Sequence, residues 1–140
     1  MKNLYVGDVG DYPLRKTSEI EIEPLIIDFS VCKVTDYCKI DFDQPFIFIG
    51  KTDTEKSLVC PTEMVPDNVI SQEDGWKAFR ICGKLDFSLV GILAGITEVL
   101  AKKRIEVFVV STYDTDYVLI KSEKFGVALN ALQDEGYKIV

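Results

Sequence analysis

Ile105–Lys121 reads IEVFVVSTYDTDYVLIK, and its pattern decides the fold. Two apolar runs, Ile105–Val110 and Tyr117–Ile120, flank six small or polar residues, Ser111–Asp116. The flanks are rich in Val, Ile, Phe and Tyr, which suit a pleated, half-buried surface, so the stretch reads as two strands joined by a polar turn. The turn carries three aliphatic hydroxyls and two carboxylates at the ends of those strands, where a fold presents ligand-binding groups.

Working outward, Ser122 caps a helix with Glu123 in its first turn, and the helix's apolar face is Phe125, Ala128, Leu129 and Leu132. Gly136 stands where a left-handed residue ends a helix, and Tyr137–Val140 is a short last strand. On the other side, Ser88 is placed as an N-cap. Leu89, Ile92, Leu93, Ile96, Val99 and Leu100 follow at helical spacing. Lys102, Lys103 and Arg104 complement the negative end of that helix's dipole. A strand over Trp76–Leu85 precedes it, so 76–140 reads as β-α-β-β-α-β, the ferredoxin-like split motif with helices on one face of an antiparallel sheet.

Such a small unit buries little surface by itself. The preceding residues supply a degenerate copy over 20–66: a strand over Leu25–Val34 after Pro24, then a hairpin of Phe46–Lys51 and Ser57–Cys60. Phe48–Val59 (FIGKTDTEKSLV) parallels Val109–Leu119 (VVSTYDTDYVL). Residues 1–19 form an N-terminal extension, and the acidic, turn-rich 67–75 a linker. The fold class is therefore α+β, two ferredoxin-like βαββαβ units in tandem.

Composition narrows the function. The 140 residues include 47% hydrophobic types, enough for a packed interior. A net charge of −7 argues against binding nucleic acid, which needs a basic patch, and against adsorption to anionic membranes. No apolar run is long enough to span a bilayer, and the first residues lack a signal-peptide core, so a cytoplasmic protein is expected. The four cysteines, Cys32, Cys38, Cys60 and Cys82, form no CxxC pair and read as buried thiols rather than metal or redox ligands. There is no histidine, which removes the commonest general base and metal ligand. Catalysis through Glu63 or Asp86 has no paired motif behind it, so no catalytic residue, metal or cofactor is assigned.

The stretch from Gly83 to Val140 resembles the tandem ACT domain proteins, on the small bacterial branch related to arginine-sensing ACT proteins. The resemblance rests on Leu85-Asp86-Phe87, on Gly91-Ile92-Leu93-Ala94 and on the hairpin Ser111–Leu119. In the first half, Phe29–Lys33 and Ser57–Pro61 are similar to the family's first-domain pattern. The resemblance implies a non-catalytic, amino-acid-binding regulatory module, usually a dimer. Its ligand is held by the loop between first strand and first helix and by the facing strand end. Here those are Asp86, Phe87, Val90, Gly91, Ile92 and Leu93 on one side, and Ser111, Thr112, Asp114 and Asp116 on the other.

Elementary chemistry supports the same pairing. Amides at a helix start favour an α-carboxylate, and Asp116 with Asp114 offers negative charge to an α-amine. Each residue also has a structural reading: Asp86 complements the helix dipole, Asp114 fills a turn, and Ser111 and Thr112 satisfy backbone groups. Gly91 and Gly95 sit within the helical pattern. Gly91 reads equally as a packing glycine or as one that admits a ligand to helix backbone, and Gly95 as packing. The alternative function is a dimerisation module with a vestigial site.

Overall fold

The computed structural model of the protein describes residues 20–82 and 91–140. Among these it is α+β, with eight strands and two α-helices. The chain divides into two compact units, one holding residues up to Leu25 with Phe79–Val140, the other Ile26–Ala78.

In the first unit, β1 (Glu21–Pro24) runs antiparallel to the end of β5 (Val69–Cys82), with Ile22 opposite Ile81 and Pro24 opposite Phe79. The far side of β1 pairs in parallel with β8 (Lys138–Ile139). Strand β7 (Asp116–Lys121) pairs with β5 and with β6 (Phe108–Ser111), giving the order β6-β7-β5-β1-β8. The sheet is thus mixed, where an antiparallel one was expected, because β1 inserts between the unit's opening and closing strands. Ile20-Glu21-Ile22-Glu23 alternates with both isoleucines buried. The unbroken apolar run after Pro24 had drawn that stretch into the other half, but the chain leaves strand geometry over 25–28.

Helices α1 (Ile92–Lys102) and α2 (Ser122–Asp134) follow the predicted periodicity. Ile96 and Leu100 from α1, with Phe125, Ala128 and Leu132 from α2, join Ile22, Phe79, Ile81, Val118 and Ile120 in one core. Ser122 is the first helical residue of α2 and makes no capping bond; Ser88 lies outside the described residues. Gly95 fits by close approach: a Cβ there would stand 3.0 Å from Tyr137 Oη.

Both helices end in Schellman motifs. After α2, Tyr137 N donates to Leu132 O (3.1 Å) and Gly136 N to Gln133 O (3.0 Å), with Gly136 left-handed at φ 101°. After α1, Ile105 N donates to Leu100 O (3.1 Å) and Arg104 N to Ala101 O (2.9 Å). There the left-handed position, φ 58°, is held by Arg104. A side chain in that conformation costs about 1–2 kcal/mol relative to the right-handed helix region, a penalty glycine avoids.

The second unit has the order β3-β4-β2-β5, built from β2 (Phe29–Val34), β3 (Phe48–Lys51), β4 (Lys56–Pro61) and the first part of β5. All its pairings are antiparallel. It contains no α-helix; a 3-10 turn over Thr62–Met64 follows β4. Cys32, Val34, Leu58 and Cys60 form its core, covered by Tyr37, Ile40, Ile47, Met64, Val65 and Val69. Burial pushes the Cys32 thiol up to about 11 and the Cys60 thiol up to about 12, so both stay protonated at neutral pH.

The expected linker over 67–75 is largely strand, since β5 begins at Val69. Its side chains from Ile70 to Gly75 are exposed, so no hydrophobic alternation marks it in the sequence. Its backbone is satisfied by β2, from Val34 opposite Val69 to Phe29 opposite the buried Trp76. The register shifts between Phe29 and Val31, where Gly75 takes φ 83°.

Leu132 is fully buried in the first unit's core. Leu132→Ala is expected to destabilise the chain by about 2–5 kcal/mol, from lost transfer energy plus a residual cavity. Urea unfolding followed by far-UV circular dichroism reads this, and an unchanged midpoint would contradict the placement of α2.

Candidate functional site

The hairpin β6–β7 is held by its own polar residues. Ser111 lies directly opposite Asp116, and the Ser111 hydroxyl donates to Asp116 Oδ1. Thr112 N donates to Thr115 O (2.8 Å), Thr112 Oγ1 donates to the same carbonyl (3.0 Å), and Thr115 N donates back to Thr112 Oγ1 (3.3 Å). Thr115 Oγ1 donates to Ile81 O (2.6 Å), tying the tip to β5. The turn is therefore closed without a glycine. Asp114 points to solvent, and its carboxylate joins none of these bonds.

Of the residues the sequence nominates, the structure gathers Ser111, Thr112 and Asp116 into this hydrogen-bonded turn. Gly91 precedes α1 as its N-cap, left-handed at φ 83°, rather than lying one turn inside. Gly95 N donates to Gly91 O (2.8 Å), which leaves the amides of Ile92, Leu93 and Ala94 at the open end of the helix. Ile92 and Leu93 pack against the core, so what they offer a ligand is backbone. Asp86, Phe87 and Val90 lie outside the described residues.

The hairpin β3–β4 repeats this geometry sixty residues earlier. Phe48 opposite Val59 matches Phe108 opposite Leu119, and Lys51 opposite Lys56 matches Ser111 opposite Asp116. Thr52 N donates to Glu55 O (2.9 Å) and Glu55 N to Thr52 Oγ1 (3.1 Å), as in the later turn. Pro61 (φ −55°, ψ 140°) and Lys121 (φ −55°, ψ 138°) then lead into the 3-10 turn and α2 with the same backbone angles. The closing pair differs: two ammonium groups replace a hydroxyl and a carboxylate, and like charges directly opposite are unfavourable.

Two further polar groups escape the sequence reading. In the first unit, Arg80 Nε donates to Glu23 Oε1 (2.9 Å), Arg80 Nη1 to the Tyr117 hydroxyl (3.4 Å), and Cys82 Sγ to Glu23 Oε1 (3.3 Å). The hydrogen bond from Arg80 holds the Glu23 carboxyl below its usual range. In the second unit, the fully buried Ser30 hydroxyl donates to Asp74 Oδ1 (2.5 Å) and lies 2.8 Å from Thr62 Oγ1, while Gln72 Nε2 also donates to Asp74 (2.8 Å). These contacts join residues distant in sequence through strand register, and the Gly75 bulge that brings Asp74 to Ser30 leaves no periodic trace. Among the described residues, no group of three or more His, Cys, Asp or Glu side chains is arranged to hold a metal.

Comparison with known proteins assigns the architecture. Residues 71–134 match the family model described as ACT domain. A crystal structure from Agrobacterium tumefaciens is similar at TM-score 0.78 and 26% identity, covering 87% of this chain and 92% of that one. A Vibrio cholerae protein of unknown function is similar at TM-score 0.70 and 20% identity, covering 86% and 93%. The regulatory subunit of aspartate kinase from Thermus thermophilus, in ligand-free form, shares the fold at TM-score 0.59 and 10% identity, covering 86% and 99%. Residues 71–134 are thus similar to an ACT domain, and the α+β fold is shared with these structures. No described helix is long and apolar enough to cross a membrane.

Ser30 and Gln72 together hold the Asp74 carboxyl below its usual range. A carboxyl depressed in the folded state adds stability above its unfolded pKa, about 3.9 for Asp, and loses it as pH falls through the folded value. The melting temperature of Asp74→Asn is therefore expected to lie below wild type at pH 6–7 and to converge with it below about pH 4. A gap independent of pH would show that the carboxylate charge plays no part.

Proposed function

We propose that the chain is a non-catalytic regulatory ACT module that binds a small amino acid. The observation that carries this reading is the Ser111–Asp116 pair, a carboxylate fixed by a hydroxyl at the mouth of a glycine-free turn. Asp116, assisted by Ser111, Thr112 and Asp114, takes the α-amine through charge-assisted hydrogen bonds. The amides of the helix start around Val90–Leu93 take the α-carboxylate at the positive end of α1, and Asp86, Phe87 and Gly91 complete that side of the site. The match of 71–134 to the ACT family model and the shared fold with an aspartate kinase regulatory subunit support a regulatory role.

The two units are read as tandem copies. The equal register of their hairpins and the strand order β5-β2-β4-β3 in the second unit, which is the ferredoxin-like order with both helices missing, support that relation. Only the copy ending at Val140 keeps a site, because Lys51 and Lys56 repel an amine where Ser111 and Asp116 attract one. The protein acts in the cytoplasm as a homodimer, with residues 1–19 as an extension. A second reading, a dimerisation module with a vestigial site, draws support from the same two lysines.

A thermal-shift screen against the twenty amino acids separates these readings. For the amino-acid reading at least one compound raises the melting temperature, since a hundredfold excess over Kd adds about 2.7 kcal/mol. Asp116→Ala is expected to abolish that rise and leave the unliganded melting temperature within a few degrees of wild type. A flat screen, or a full response in Asp116→Ala, would overturn the assignment.

A further inference from the structure

Asp74–Gly75 is the only Asp-Gly pair in the sequence. An aspartyl carboxyl followed by glycine is open to attack by the next backbone nitrogen, because no Cβ shields that nitrogen. Gly75 is exposed, takes φ 83°, and has open space where a Cβ would stand. Val31 faces Glu73 and Phe29 faces Trp76, so Asp74 and Gly75 together lie against Ser30 alone. Two residues against one is a bulge, where the strand ladder is interrupted and holds the backbone less firmly.

The Asp74 carboxylate is nevertheless latched. Its Oδ1 accepts from Ser30 Oγ (2.5 Å) and from Gln72 Nε2 (2.8 Å). Ser30 is fully buried and its hydroxyl lies 2.8 Å from Thr62 Oγ1, so strand packing fixes the donor. Both bonds favour the ionised carboxyl, which resists nucleophiles, and they hold its carbon in place. We propose that Asp74–Gly75 is a latent isoaspartate site, held shut by Ser30 and Gln72. Without the latch the carboxyl takes a proton from solvent and Gly75 N attacks Asp74 Cγ. A C–N bond forms, a C–O bond breaks, and water leaves with the amide proton, which closes a succinimide ring. Water then opens the ring at either carbonyl. Opening at the α-carbonyl routes the main chain through Cγ as isoaspartate, and opening at the other restores aspartate. No atoms are gained or lost overall. Isoaspartate lengthens β5 by one methylene at the bulge and withdraws the carboxylate from Ser30. Ser30 and Gln72 are positioning residues here, and the site does not rest on the reading given to Asp116.

The test ages the full chain at neutral pH, folded or in urea above its unfolding transition, and maps isoaspartate by electron-transfer mass spectrometry of its peptides. Isoaspartate at 74 is expected to accumulate quickly in urea and slowly in the folded wild type. Folded Ser30→Ala is expected to accumulate it about tenfold faster than folded wild type, the scale of one hydrogen bond to a charged group. Gln72→Ala, at an exposed position, is expected to move the rate in the same direction. Asp53 and Asp67, in the same unit, serve as internal controls and stay at their wild-type rates. If circular dichroism shows Ser30→Ala unfolded, Gln72→Ala decides. The proposal is overturned if the folded wild type isomerises as fast as the unfolded chain. It is equally overturned if the folded variants age at the wild-type rate, or if all three aspartates accelerate together.

Discussion

Both units depend on the backbone groups of one strand. Over Val69–Trp76, β5 satisfies β2; over Phe79–Cys82 it satisfies β1. A buried amide or carbonyl without a partner costs about as much as a lost hydrogen bond, so neither sheet closes unless β5 is extended along its length. Phe79 and Ile81 then anchor the first unit's core, and Trp76 is buried at the end of the β2 ladder. The exposed stretch 70–75 is therefore strand by pairing and not by burial, with Gly75 absorbing the register shift near Ser30.

Legibility in the sequence followed the source of order in each segment. The two helices were legible because Ile96, Leu100, Phe125 and Leu132 recur with the helical period that packing requires. The β6–β7 hairpin was legible because its flanks are apolar, with Val118, Leu119 and Ile120 fully buried, and its turn is polar. Strand β1 was not legible, because Ile20-Glu21-Ile22-Glu23 is short and the apolar residues after Pro24 point to a strand that begins later. The parallel β1–β8 pair and the early start of β5 were hidden because pairing through backbone groups leaves no mark on side-chain pattern.

The candidate hairpin site was partly visible. Ser111 and Asp116 stand out as hydrogen-bonding residues at the inner ends of apolar strands, and register brings them face to face. Gly91 was not fully legible, since a glycine before a helix and one inside it look alike when the cap is unknown; only φ separates them. Arg104 shows the converse. It reads as a helix-ending cation, which it is, but its left-handed conformation has no signature in residue type.

The chain's single tryptophan, Trp76, is buried in the Ile26–Ala78 unit, while both α-helices belong to the other. Two common optical signals are thus divided between the units. Indole emission follows the helix-free unit, and the 222 nm ellipticity follows the helical one. A difference between the two transitions in one unfolding experiment would show the units parting company, and coincidence would show that the strand they share makes them melt together.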